Sequence, residues 1–173
     1  MSTRTRTDGN GPSAPPRRGR RILVAGLGNL LLMDDGVGVH AVRELRRHAG
    51  SGVMVAEVGT AVLDALHLIE KADRLLAIDA MRAGGAPGTI YSFGVEDVKQ
   101  RPTEASLHEL NLLSALTLTR RRPREITILG VEPGRIDYGL ELTPAVQEAL
   151  PRLVSAASRI VAKWVGGTFG RDG

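Results

Sequence analysis

The run Ile22–Gly26 has no polar position in it. A strand without a polar face must be covered on both sides, which is the situation of a central strand in a parallel sheet. It ends in Gly26-Leu27-Gly28, and Val37, Ala41 and Leu45 then recur at four-residue spacing, which predicts an amphipathic helix over Gly36–His48. Strands are expected at Val53–Val58, Arg74–Ala80 and Glu125–Val131, and a weaker edge strand at Thr89–Phe93 after the turn Gly84–Gly88. Helices are expected at Ala61–Glu70, opened by Thr60 as a cap, and at Ser106–Thr119, where Leu107, Leu110, Leu113 and Leu116 keep a helical period. A last helix starts at Thr143-Pro144, a cap followed by proline at the first position. Residues 94–105 read as a polar loop. Strands alternating with helices predict an α/β fold: a three-layer αβα domain around a mostly parallel sheet of about five strands.

The 173 residues suffice for one such domain. We place it at 21–166. Residues 1–20, rich in Gly, Pro, Ser, Thr and Arg, are expected to be a disordered basic tail, and 167–173 a disordered C-terminal tail. The net charge of +4 suggests nucleic acid, but its distribution argues against it. Six arginines and one acid lie in residues 1–21, while the other 152 residues hold 17 basic and 18 acidic groups. With aromatics at 3%, little is available to stack on bases, so no nucleic-acid partner is expected. No apolar run reaches membrane-spanning length, and no apolar segment follows the basic N-terminus as in a secretory signal. The absence of cysteine excludes disulfides, a thiol nucleophile and thiolate metal sites, and fits a cytoplasmic protein.

The residues with chemistry are Asp35, Asp79 and His108, each at or beside the end of an apolar run. Two carboxylates and an imidazole form a set of hard and borderline metal ligands. Each also has an ordinary explanation. Asp34 and Asp35 stand before a helix, where acids cap and favour the dipole. Asp79 ends a strand and can simply be solvated there, and a lone histidine usually has no special role. In the other reading, one of the aspartates at 34 and 35 caps while its neighbour faces the crevice above the strand ends. Asn29 and Thr60, at strand-to-helix turns, are candidates for orienting a substrate or a carboxylate, with local turn hydrogen bonding as the alternative. His40, His48 and His67 are taken as ordinary helix residues. Gly26-Leu27-Gly28 is not a dinucleotide fingerprint, because position 31 is Leu and two acids at the helix entry would repel a pyrophosphate.

Taken together, Gly26-Leu27-Gly28-Asn29-Leu30-Leu31-Leu32-Met33-Asp34-Asp35-Gly36-Val37-Gly38, Gly59-Thr60, Ile78-Asp79-Ala80, Ser106-Leu107-His108, Leu129–Pro133 and Gly139–Val146 resemble the motifs of the hydrogenase maturation endopeptidases. The resemblance runs from about Ile22 to about Ala149. It implies an aspartic-type endopeptidase that removes a short C-terminal peptide from the nickel-loaded precursor of a [NiFe] hydrogenase large subunit. It further implies that Asp35, Asp79 and His108 are both the nickel contacts and the catalytic candidates. Asn29, Asp34, Gly59 and Thr60 would then lie around the substrate. The nickel would arrive with the substrate, no permanent cofactor is expected, and the enzyme is expected to act as a monomer. Several residues depart from the family pattern: Asp35 where Glu is common, Glu57-Val58 and Ala61-Val62 where glycines occur, and Glu132 where Gln is frequent. They bear on which hydrogenase is served more than on the chemistry. Cleavage itself is open between polarisation of the carbonyl or a water by the metal and general-base action by an aspartate, with glycine amides at 26–28 and 59 as oxyanion donors. A non-proteolytic α/β module that handles nickel or binds a nucleotide is the competing reading.

Overall fold

A computed structural model describes residues 21–99 and 107–166, with backbone only at 98–99 and 107–110. The two expected tails and residues 100–106 lie outside the described residues. Five strands form one sheet: β1 (Ile22–Leu27), β2 (Val53–Gly59), β3 (Arg74–Ala80), β4 (Ile90–Gly94) and β5 (Glu125–Val131), in the order β2-β1-β3-β5-β4. All neighbours are parallel except β4, which runs antiparallel to β5 at the edge. Helices are α1 (Val37–Arg46), α2 (Leu66–Lys71), α3 (Val95–Lys99), α4 (Leu107–Leu118) and α5 (Pro144–Gly166).

The apolar run at β1 is buried throughout, as a central strand requires. Its side chains alternate between two cores. Ile22 and Val24 pack with α1 and α5, through Val37, Val42, Val146 and Leu153. Leu23, Ala25 and Leu27 pack on the other face with Ile69 of α2 and with Leu112 and Leu116 of α4. Each fully buried leucine or isoleucine contributes about 2 kcal/mol. The result is the expected three-layer αβα architecture. Among the described residues no helix is long and apolar enough to cross a membrane.

Three elements differ from the sequence expectation. A 3-10 turn, Met33–Gly36, precedes α1. The second helix starts at Leu66 rather than Ala61, after a series of single turns, so Thr60 does not cap it. The segment expected as a polar loop from 94 opens with α3, where Val95 is buried and the Asp97 carboxylate accepts from the Gly94 N–H (2.8 Å). That helix is a single turn, too short to leave a period in the sequence.

Close backbone approach fixes how α1 sits on the sheet. A Cβ on Gly38 would lie 2.1 Å from the Ile78 carbonyl oxygen and 2.5 Å from that of Leu27. The first turn of α1 therefore lies directly on the ends of β1 and β3, and the 3-10 turn before it packs against β3. Gly28, at φ +108°, has the same effect a turn earlier: a Cβ there would be 1.7 Å from the Asp35 carbonyl oxygen. The opposite rim is built differently, from ion pairs that range from part-buried to exposed. Arg74 pairs with Glu125 (3.0 Å) and donates to the Trp164 carbonyl (2.7 Å), while Asp73 pairs with Arg121. Replacing Gly38 by Ala should lower stability by about 3 kcal/mol, the upper end for forced overpacking. Urea unfolding with an unchanged m-value would report it.

Candidate active site

Asp34 and Asp35 follow one another in a 3-10 turn, so their side chains leave it in different directions. Neither makes the side-chain cap expected of acids at a helix start. Asp34 is fully buried and reaches across to residues a hundred positions away. Its carboxylate accepts from the N–H groups of Gly134 (2.8 Å), Arg135 (2.9 Å) and Thr143 (2.7 Å) and from the Thr143 hydroxyl (2.7 Å). Three of the four donors converge on Oδ2, and the Thr143 N–H reaches Oδ1, so both oxygens of the buried carboxyl are engaged. Thr143 stands, as expected, immediately before α5. Two backbone bonds extend the clamp: Met33 N–H to the Gly139 carbonyl (2.9 Å) and Gly139 N–H to the Leu31 carbonyl (3.0 Å).

Asp35 is 7% exposed and accepts from the Asn29 N–H (2.7 Å). Asn29 in turn closes its own turn, with its side-chain oxygen accepting from the Leu31 N–H (2.9 Å). The Asn29 side chain thus serves the local turn, and it is its backbone N–H that meets the candidate ligand Asp35. Asp79 is fully buried at the end of β3, where its carboxylate accepts from the Ala80 N–H (2.9 Å). By alternation it shares the face of Leu75 and Ala77, the face covered by α2 and α4.

His108 is on the first turn of α4, and its side chain lies outside the described residues. The backbone decides which rim that turn occupies. Just after α4, the Arg120 N–H donates to Glu70 (2.9 Å) and the Arg124 N–H to the Asp73 carbonyl (2.9 Å), next to where β3 begins. A 12-residue helix spans about 18 Å, close to the length of the sheet. Running against the strands, α4 begins at their C-terminal ends. Position 108 is also one turn before Leu112, which faces the sheet. Asp35, Asp79 and position 108 therefore come to one rim. Among the described residues no three His, Cys, Asp or Glu side chains are grouped to hold a metal. Of the three expected ligands, Asp35 and Asp79 are among those described side chains.

The remaining expectations divide. Gly59, at φ +60°, ends β2 beside Gly28, and its carbonyl accepts the Gly28 N–H (3.2 Å). That amide is therefore engaged in the sheet and is not an oxyanion donor here. Thr60 is exposed at the same edge. His40 is half-buried on α1; burial, then the nearby Arg43, holds it below the ordinary histidine range. The ring of His67 meets the Asp64 carbonyl (3.0 Å).

Glu132 is a residue whose role the sequence did not reveal. It is 6% exposed and accepts from Ala83 N–H (2.8 Å), Gly85 N–H (3.2 Å) and the Tyr91 hydroxyl (3.0 Å). It thereby holds the loop that follows Asp79. Burial pushes its pKa up most strongly, but the Ala83, Tyr91 and Gly85 hydrogen bonds and the charge of Arg82 outweigh it, and the net shift is downward. The partners are about 41 to 49 positions away, so no local pattern could have named them.

Asp35 and Asp79 are buried at the C-terminal ends of strands in a mostly parallel sheet, the side on which open α/β sheets bind ligands. Comparison with known proteins makes the class specific. A family model described as hydrogenase maturation protease matches residues 39–160, beginning after Asp35. The hydrogenase expression/formation protein HupD of Bradyrhizobium diazoefficiens is 33% identical over 152 residues, covering 83% of this chain and 79% of that one. The hydrogenase 2 maturation protease of Escherichia coli is 36% identical over 134 residues, covering 73% and 82%. Among solved structures, the hydrogenase maturating endopeptidase HybD from Escherichia coli superposes with a TM-score of 0.77 at 30% identity, covering 83% of this chain and 93% of that one. The chain belongs to the hydrogenase maturation proteases, and it is a peptidase.

Two outcomes test the polar framework. Asp34→Ala leaves buried donors without partners and should cost about 3 kcal/mol; limited proteolysis should then cut within 134–143 and should leave the native protein uncut there. Glu132 has a depressed pKa in the folded state, so its contribution is complete above the ordinary glutamate value of about 4.3 and fades as pH falls below it. Glu132→Gln keeps an acceptor oxygen but does not titrate there. Its acid-unfolding profile should be flatter than that of the native protein below about pH 4.3.

Proposed function

We propose that this chain is the endopeptidase that removes a short C-terminal peptide from the nickel-loaded precursor of a [NiFe] hydrogenase large subunit. The nickel belongs to the substrate. Asp35, Asp79 and His108 add donors to it, and no resident cofactor is required. The reading is supported by one observation above the others: two carboxylates, 7% and 0% exposed, sit at the rim where α4 also begins. Carboxylate and imidazole donors suit nickel. A precursor without the ion offers these groups nothing to hold, so cleavage reports that metal insertion is complete.

The chain's own residues carry the rest. The Asn29 N–H holds Asp35 in place, and Asp34 fixes the turn that presents it. An ionised aspartate at the rim can take a proton from the attacking water. The substrate's ion, once held, polarises the scissile carbonyl or that water. We place the reaction in the cytoplasm, in a single domain at 21–166 that acts as one copy.

Co-expression with the precursor, read by intact mass, tests the assignment. The native chain should shorten the nickel-loaded precursor and leave nickel-free precursor whole. Asp79→Asn and His108→Ala should each slow cleavage by about 100-fold or more, the scale of losing a group that acts in the transition state, with the melting transition retained. Binding of the precursor without any loss of mass would instead make the chain a nickel-handling partner.

A further inference from the structure

Beside Asp35 the rim carries apolar side chains that no described element of the fold covers. Leu31 is 60% exposed, Tyr138 89%, Leu140 67% and Ile136 38%. Ile136, Tyr138 and Leu140 belong to one loop. The parallel bridge between Leu32 and Gly139 sets Leu31 alongside the Tyr138–Leu140 stretch. The whole chain has five aromatic residues, and one of them is presented almost fully to water. Its loop is nevertheless fixed, because Asp34 grips Gly134 and Arg135 at one end and Thr143 at the other. Arg135 and Asp137 pair with each other. Beyond that pair the loop offers a partner one exposed charge, Glu141, and the apolar side chains. A contiguous apolar patch around an exposed aromatic marks a protein-binding surface.

We propose that Leu31, Ile136, Tyr138 and Leu140 are the docking face for the precursor, receiving an apolar patch of its folded body while its C-terminal segment reaches Asp35 and Asp79. This rests on the function proposed above. Continuity with the site identifies the occupant. Asp34 orients the docking loop and Asp35 faces the candidate site, and their Cα atoms are one peptide, about 3.8 Å, apart. A body seated on the loop is thereby held in register with the carboxylates. A second copy of this chain is the poorer fit, because four partly exposed side chains fall short of the roughly 800 Å² per partner of a standard stable interface.

The test measures cleavage rate against concentration of nickel-loaded precursor for the full chain. The double variant Tyr138→Ser/Leu140→Ser is compared with Leu118→Ser, an equally exposed leucine (64%) at the far end of α4. Expected is a loss of tenfold or more in kcat/KM for the double variant, closing as precursor is raised, and native behaviour for Leu118→Ser. A double variant with native kcat/KM would overturn the proposal, as would a deficit that persists at saturating precursor. So would sedimentation showing a native dimer that the double variant breaks. Should the double variant lose its cooperative melt, Tyr138→Ser alone, at the most exposed position, carries the same expectations. A parallel arm with nickel-free precursor separates the two ideas. Equal cleavage of loaded and unloaded precursor removes the nickel reading, while the effect of the patch on kcat/KM is still read.

Discussion

The buried carboxylate of Asp34 is the interaction on which the rim depends. A charge taken out of water is costly unless hydrogen bonds replace its hydration. Here three backbone N–H groups and one hydroxyl do so, all from the β5–α5 connection. One side chain thus joins the turn after β1 to the loop after β5, which are separated in the sheet by β3. Without it the loop 134–143 and the turn that carries Asp35 would be joined by backbone bonds such as Met33 to Gly139 and Gly139 to Leu31, with no side-chain clamp across them.

The adjacent aspartates divide two tasks that one residue could not perform. Asp34 has both oxygens engaged by donors of the β5–α5 connection and serves the fold; Asp35, held by the Asn29 N–H, stands at the rim. The glycines decide where this happens. Backbone packed on backbone at Gly28 and Gly38 puts the 3-10 turn against the ends of β1 and β3 rather than a side chain's width above them. The backbone of α4 runs against the strands, so its first turn, with position 108, starts where they end. The two rims contrast: partly exposed ion pairs, individually worth little, close the N-terminal end, and buried carboxylates with directed donors build the other.

Much of this was readable from the residues. The fully apolar β1, the strand–helix alternation and the Thr143-Pro144 helix start led to the correct architecture. Burial on two faces and helical period both leave marks in the sequence. The losses were of two kinds. Short elements, α3 and the 3-10 turn, are below the length at which a period shows, and α2 begins later than its apolar residues imply because single turns share the same spacing. Long-range polar contacts were invisible as well. Asp34 reads as a helix cap because its partners are 100 to 109 positions away, and Glu132 reads as belonging to a turn for the same reason. The candidate ligands were named because each lies at or beside the end of an apolar run; Asn29 was singled out for its polar side chain, whereas it is its backbone N–H that meets Asp35.

The central claim is that the chain contributes ligands to an ion its substrate carries. X-ray absorption at the nickel edge addresses it most directly, on loaded precursor alone and on precursor mixed with the protein at a temperature low enough to slow cleavage. Additional oxygen and nitrogen neighbours around the nickel in the mixture, fewer with His108→Ala, are the expected result. A nickel environment that stays unchanged while cleavage proceeds would contradict the claim.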